Sequence, residues 1–240
     1  MKLFNFFKRS NKRSEESSHN NTSSNLLFSH DLEEAQKRLN ETDYQGAILY
    51  AERHMNSENR EVMIEAHKLT ALANFRLGNY NKAAKLYEAV TRNNGHDVHT
   101  WFNLMTSSIL SRNIELGVKA FKVAVDLREK STNSNDISIP HIKYYYCRAM
   151  AEINEYELAI KELNDLMEYY KQLKVTDVMF LYMRGVPSLA QTMEAAIIIL
   201  NGLGNSVDHE IWIENIQSEL DEEGKKYLEE IKKEFSSVLN

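Results

Sequence analysis

The side chains best suited to chemistry in this 240-residue chain are few. The tightest group is His96-Asp97-Val98-His99, two imidazoles and a carboxylate within one short stretch. Such a set ligates zinc when its side chains converge, although a solvated polar turn of the same residues is the commoner arrangement. Cys147 is the only cysteine, which excludes an internal disulfide framework and any zinc site of two or more thiolates. It reads as an inert buried thiol. The adjacent acids Glu33-Glu34 and Glu229-Glu230 do not face one another on a helix and read as solvated surface. No phosphate-binding loop, dinucleotide glycine pattern, nucleophile elbow or His-Glu-x-x-His motif is present. The expectation is therefore a protein that is not an enzyme, with no cofactor and no metal. An all-helical enzyme using His96, His99 or His141 is the alternative.

The elements that must position these residues are helices. A chain this long carries about 17 Gly and about 12 Pro at average usage, and this one has 8 and 2. So few turn residues exclude a β-sandwich or barrel. With 42% hydrophobic and 27% charged residues the composition is that of a folded protein with a sizeable core.

The net charge of −6 is unevenly spread, with five Lys/Arg against two Glu in residues 1–25 and ten acids against four Lys in 208–240. The middle has no basic footprint for nucleic acid. At the start, Leu3, Phe4, Phe6 and Phe7 precede the basic run Lys8, Arg9, Lys12 and Arg13, the reverse of a secretory signal. Residues 1–27 read as a disordered basic tether, or as a tip docking on a partner or a membrane surface. No run approaches the roughly 20 apolar residues that span a bilayer. No stable membrane insertion is expected, and the single cysteine fits a cytoplasmic protein.

The middle of the chain repeats. Asp43-Tyr-Gln-Gly-Ala47, Asn79-Tyr-Asn-Lys-Ala83 and Glu155-Tyr-Glu-Leu-Ala159 share a polar turn, a Tyr and an Ala three residues later, and Asn113-Ile-Glu-Leu-Gly117 has the same layout. The small residues lie 36, 34 and 42 residues apart. A small residue at a fixed place lets two helices of a hairpin approach closely, and the aromatic before it wedges into the turn. Trp101 and Leu104 ahead of Gly117, Phe121 and Ala124 complete the best unit. The pattern resembles the tetratricopeptide repeat. That resemblance implies an all-α superhelix, an α-solenoid of helix-turn-helix units, with repeats at 28–61, 62–97, 98–131 and 138–174.

The departures are specific. The near-terminal Pro of the family is absent, and its first-helix Gly is replaced by Ala35, Ala71, Met105 and Cys147. The long 42-residue spacing places an insertion at Ser131-Thr-Asn-Ser-Asn-Asp-Ile-Ser138, after which Pro140 suits the first turn of a helix. Segments 178–184 and 188–200 suggest a fifth unit with Ala195 as its small residue, and Pro187 must end or kink its first helix. The array then spans 28–207, and the acidic amphipathic stretch 208–240 reads as C-terminal capping helices, with a partner-facing helix as the alternative.

The resemblance further implies which first-helix positions face a concave groove: Glu65, Lys68 and Leu72; His99, Phe102 and Thr106; His141, Tyr144 and Arg148; Asp177, Phe180 and Arg184. This strip is aromatic along its middle with cations toward its ends, and it suits a protein or peptide partner bearing acidic and apolar side chains. Members that clamp chaperone tails need five Lys, Asn and Arg positions. Lys68 and Asn103 match two, whereas Leu72, His141 and Tyr145 do not, so a chaperone-tail clamp is not expected. The leading expectation is a protein-binding scaffold whose groove uses Lys68, His99, Phe102, Asn103, His141, Tyr144, Arg148, Phe180 and Arg184. An inhibitor or immunity-type protein that blocks one toxin or enzyme is the alternative within the binding class, and a homo-oligomer is compatible with either.

Overall fold

The computed structural model describes residues 30–238, and the expected tether at 1–27 lies outside the described residues. Every regular element among them is helical: α1 (His30–Asn40), α2 (Tyr44–Ala51), α3 (Arg60–Arg76), α4 (Tyr80–Asn93), α5 (Val98–Leu110), α6 (Ile114–Lys130), α7 (Ile139–Glu152), α8 (Tyr156–Leu173), α9 (Val178–Met183), α10 (Leu189–Leu203), α11 (His209–Gln217) and α12 (Glu222–Val238). No described helix is long and apolar enough to cross a membrane. The chain divides into two compact units, Met1–His96 and Asp97–Asn240.

The turns inside the hairpins are copies of one another. Thr42, Gly78, Arg112 and Asn154 take left-handed backbone with φ between 64° and 80°. The next residue in each case, Asp43, Asn79, Asn113 or Glu155, donates its N–H five residues back, to Arg38, Asn74, Ser108 and Met150 respectively. This closure satisfies carbonyls that a helix end leaves without partners. Glycine takes such a φ without strain, yet only Gly78 among the four is glycine. The second helix then starts two residues beyond the left-handed residue, and its fourth position is Ala47, Ala83, Gly117 or Ala159, every one buried. At Gly117 the need for a small residue is direct. A Cβ there would stand 2.5 Å from Cγ1 of the fully buried Ile109 on the facing helix.

In the first unit α1, α2 and α3 pack on one another and α3 packs on α4. Leu32, Ala35, Leu39, Ala47, Ala66 and Leu69 form the common core. In the second unit α5 pairs with α6 and α7 with α8; α7 also packs on α5 and α6, and α10 packs on α7 and α8. The expected insertion is the loop between α6 and α7. Ser138 caps α7 by accepting from His141 N–H, and Pro140 stands in its first turn.

The last hairpin departs from the pattern. Gly185 (φ 68°) ends α9 with the same backbone closure, Val186 N–H to Leu181 O. Proline at 187 cannot donate a backbone N–H, and α10 begins four residues after the left-handed residue instead of two. Counted from the start of α10, the small-residue position is Thr192, and not Ala195 as the spacing from Ala159 suggested. Both are fully buried.

The acidic C-terminal stretch forms α11 and α12, which pack on each other. Trp212 Nε1 donates to Asn164 of α8 at 2.7 Å. Asp221 accepts from the backbone N–H and hydroxyl of Thr176 at 2.7 and 2.6 Å and from Gly224 N–H at 2.9 Å. Burial opposes the Asp221 charge, and these hydrogen bonds prevail, holding its carboxyl below the ordinary 3.8.

Candidate functional site

Lys68 lies half-buried on α3 in the first unit. The other expected groove residues all belong to the second unit, where they fall into separate clusters.

His99, at the start of α5, is 52% exposed at its side chain, with Nε2 3.3 Å from the backbone oxygen of Asn135 and 3.8 Å from the Asp136 carboxylate. Asp97 is engaged as the cap of α5, accepting from His99 N–H at 3.1 Å and Thr100 Oγ1 at 2.6 Å. Among the described residues no group of three or more His, Cys, Asp or Glu side chains is placed to hold a metal ion.

Phe102, Tyr144 and Arg148 form the second cluster, joined by Tyr145. Phe102 meets Tyr145 edge to face at 5.4 Å between ring centroids, and Tyr145 meets Tyr144 the same way at 5.1 Å. Such pairs are worth about 1 kcal/mol beyond the area they bury. The Arg148 guanidinium lies 5.8 Å over the Tyr144 ring and donates to its hydroxyl at 3.0 Å. The open aromatic strip expected here is corrected in one respect: Phe102 is 4% and Tyr144 6% exposed. Their rings are consumed in packing along α5 and α7, and Arg148 is the part of the cluster that reaches the surface. Asn103 is half-buried, and its carbonyl accepts from the hydroxyls of Thr106 and Ser107 at 3.1 and 2.7 Å.

His141 is turned toward the last hairpin. Its Nδ1 lies 2.9 Å from the Gly185 oxygen and 2.9 Å from Ser138 Oγ, which also donates to Gly185 O. Burial holds the imidazole below its ordinary 6.5 against the Gly185 hydrogen bond. A histidine depressed on folding binds fewer protons in the folded chain, so its contribution is present above pH 6.5 and is lost as pH falls below that value. Acidification from about pH 7.5 to about pH 5.5 is accordingly expected to lower the urea midpoint, and His141→Gln to remove part of that fall. An identical pH response in the variant would exclude His141 as its source.

Phe180 and Arg184 sit on and just after α9, and here the sequence reading missed the larger feature. The six residues of α9 are all apolar, but only Leu181 is buried. Val178, Met179, Tyr182 and Met183 are 66%, 64%, 54% and 71% exposed. Asp177 caps the helix through Phe180 N–H at 2.7 Å, and Arg184 covers the half-buried Phe180 ring at 5.4 Å. The signal in the sequence was the run Val-Met-Phe-Leu-Tyr-Met between Asp177 and Gly185, too short to bury two faces.

Cys147 is fully buried, donates to Ala159 O at 3.4 Å, and has its thiol pushed up by burial. It is held as a protonated packing group. No protein-family model matches the chain, and none of the curated proteins compared with it matches.

Proposed function

We propose that this chain is a non-enzymatic protein-binding module, a superhelix of tetratricopeptide-like hairpins that holds a partner against the α9 region of its second unit. The observation that carries the reading is the α9 surface. Four large apolar side chains on six residues stand open beside the exposed cation Arg184. Contiguous apolar surface of this kind is uncommon outside interaction sites, and Met, Tyr and Arg are residues that interfaces favour. The repeated hairpin turns and the packing of α7 on α5 and of α10 on α7 support the family reading. Arg184 suits a partner segment with acidic side chains among apolar ones.

The partner is to be identified by affinity capture from the host with mass spectrometry, and its dissociation constant measured against variants. The pair Met179→Asp and Met183→Asp is expected to weaken binding by tenfold or more, about 1.4 kcal/mol, with the helical circular-dichroism signal retained. Arg184→Ala is expected to weaken it less. Tyr144 is not used for this test, because its burial makes alanine there a core deletion. Binding unchanged in the double variant would place the partner elsewhere.

A further inference from the structure

Burial divides the sulfur atoms of this chain into two classes. The single thiol, Cys147, is fully buried and its pKa is pushed up by that burial, so it offers no thiolate to an oxidant. Met105, Met150 and Met193 are 0% exposed and Met167 is 2% exposed. Met55 and Met63 are half-buried. Met179 and Met183 differ from all of these: they are 64% and 71% exposed, and both lie on α9. One helical turn apart, they share a face of that helix. The open apolar surface of α9 is therefore built in good part from thioethers, the apolar group that a mild oxidant makes polar.

A thioether open to solvent is a two-electron reductant of peroxides. The Sδ lone pair attacks one peroxide oxygen, and the O–O bond breaks as the S–O bond forms. The departing hydroxide takes up a proton and leaves as water. Sulfur loses two electrons and the peroxide gains them. The product is a sulfoxide, polar and chiral where the side chain had been flexible and apolar. Its oxygen accepts hydrogen bonds from water, and an apolar partner docking over it removes that water without replacing the bond. Burying a polar group in this way is unfavourable. Methionine sulfoxide reductases, drawing on a dithiol, return the thioether and release the oxygen as water, so the change is reversible.

We infer that Met179 and Met183 form an oxidation site, at which peroxide converts the apolar face of α9 into a polar one and keeps a free chain from docking until the thioethers are restored. The site itself follows from exposure and chemistry within the second unit, and its effect on a partner rests on the α9 reading.

The test uses the full chain, treated with hydrogen peroxide and digested for peptide mass spectrometry. Met179 and Met183 are expected to gain oxygen about tenfold or more faster than Met105, Met150, Met167 and Met193. The intact treated chain is expected to elute earlier from a phenyl matrix, with its helical circular-dichroism signal retained. Methionine sulfoxide reductase with dithiothreitol is expected to return it to its starting position. Met179→Leu with Met183→Leu keeps apolar side chains of similar volume and is expected to lose the peroxide shift. Oxidation spread evenly over the methionines, or a shift as large in the leucine pair, overturns the inference. With the captured partner, peroxide is expected to weaken binding tenfold or more in the parent and not in the leucine pair. Binding that Met179→Asp with Met183→Asp weakens, but peroxide does not, overturns the inference and leaves α9 as the docking surface. Binding indifferent to both overturns the docking effect together with the α9 reading.

Discussion

Tyr170→Ala is expected to destabilise the chain by about 3–5 kcal/mol, the range for deleting a fully buried aromatic side chain. Tyr170 is 0% exposed on α8. Its hydroxyl lies 2.7 Å from both Pro187 O and Thr192 Oγ1, so one group joins α8, the turn before α10, and α10 itself. The ring supplies the packing and the hydroxyl pins the irregular turn. Tyr170→Phe separates the two: it keeps the ring and strands buried oxygen partners, for about 1–3 kcal/mol. Equilibrium urea denaturation gives both values, and amide exchange shows where the loss falls. In the Phe variant, exchange is expected to rise first in α10. A Phe variant within 0.5 kcal/mol of the parent would mean that packing alone holds the turn.

The second large effect lies at Lys143. Its ammonium is paired with Glu162 and, at 2.9 Å, with Asp165. Lys143 and Glu162 are only 13% and 15% exposed at their side chains, whereas Asp165 is 54% exposed. Burial opposes the Lys143 charge, and its acidic partners prevail, raising it above the ordinary 10.5. Lys143→Ala leaves Glu162 charged in a poorly hydrated place between α7 and α8, which costs about 3 kcal/mol. Removing both charges is a different matter, since a buried pair replaced by apolar residues of similar volume is often neutral. The double variant Lys143→Met, Glu162→Leu is expected within about 1 kcal/mol of the parent. The non-additivity between the single and double variants is the quantity to measure. A loss under 0.5 kcal/mol in Lys143→Ala would show the pair to behave as an ordinary surface contact.

These two residues show what was legible in the sequence and what was not. The hairpins were legible because Tyr44–Ala47, Tyr80–Ala83, Ile114–Gly117 and Tyr156–Ala159 repeat one local solution to close helix approach. Pro140 and the polar loop before it were legible for the same reason, since turn chemistry is local. Tyr170 was missed because its role depends on where Pro187 places a carbonyl 17 residues away. Phe102 and Tyr144 were expected to be open because helix period gives a face. Whether a face is covered depends on a neighbour such as Tyr145, and side-chain size decides that in three dimensions. The α9 surface was overlooked for the opposite reason: an apolar run reads as core, and only packing shows that Leu181 alone is buried.

A chain that lengthens by copying a helix pair needs each copy to offer the next the same seat. The pairs α5–α6 and α7–α8 meet that condition through an identical turn and a small residue at a fixed place. The pair α9–α10 breaks it, with a first helix of six residues, a turn longer by two, and Thr192 where the others have alanine or glycine. Proline 187 thus marks where the shared turn gives way, and the hairpin around it does not superpose residue for residue on the earlier ones.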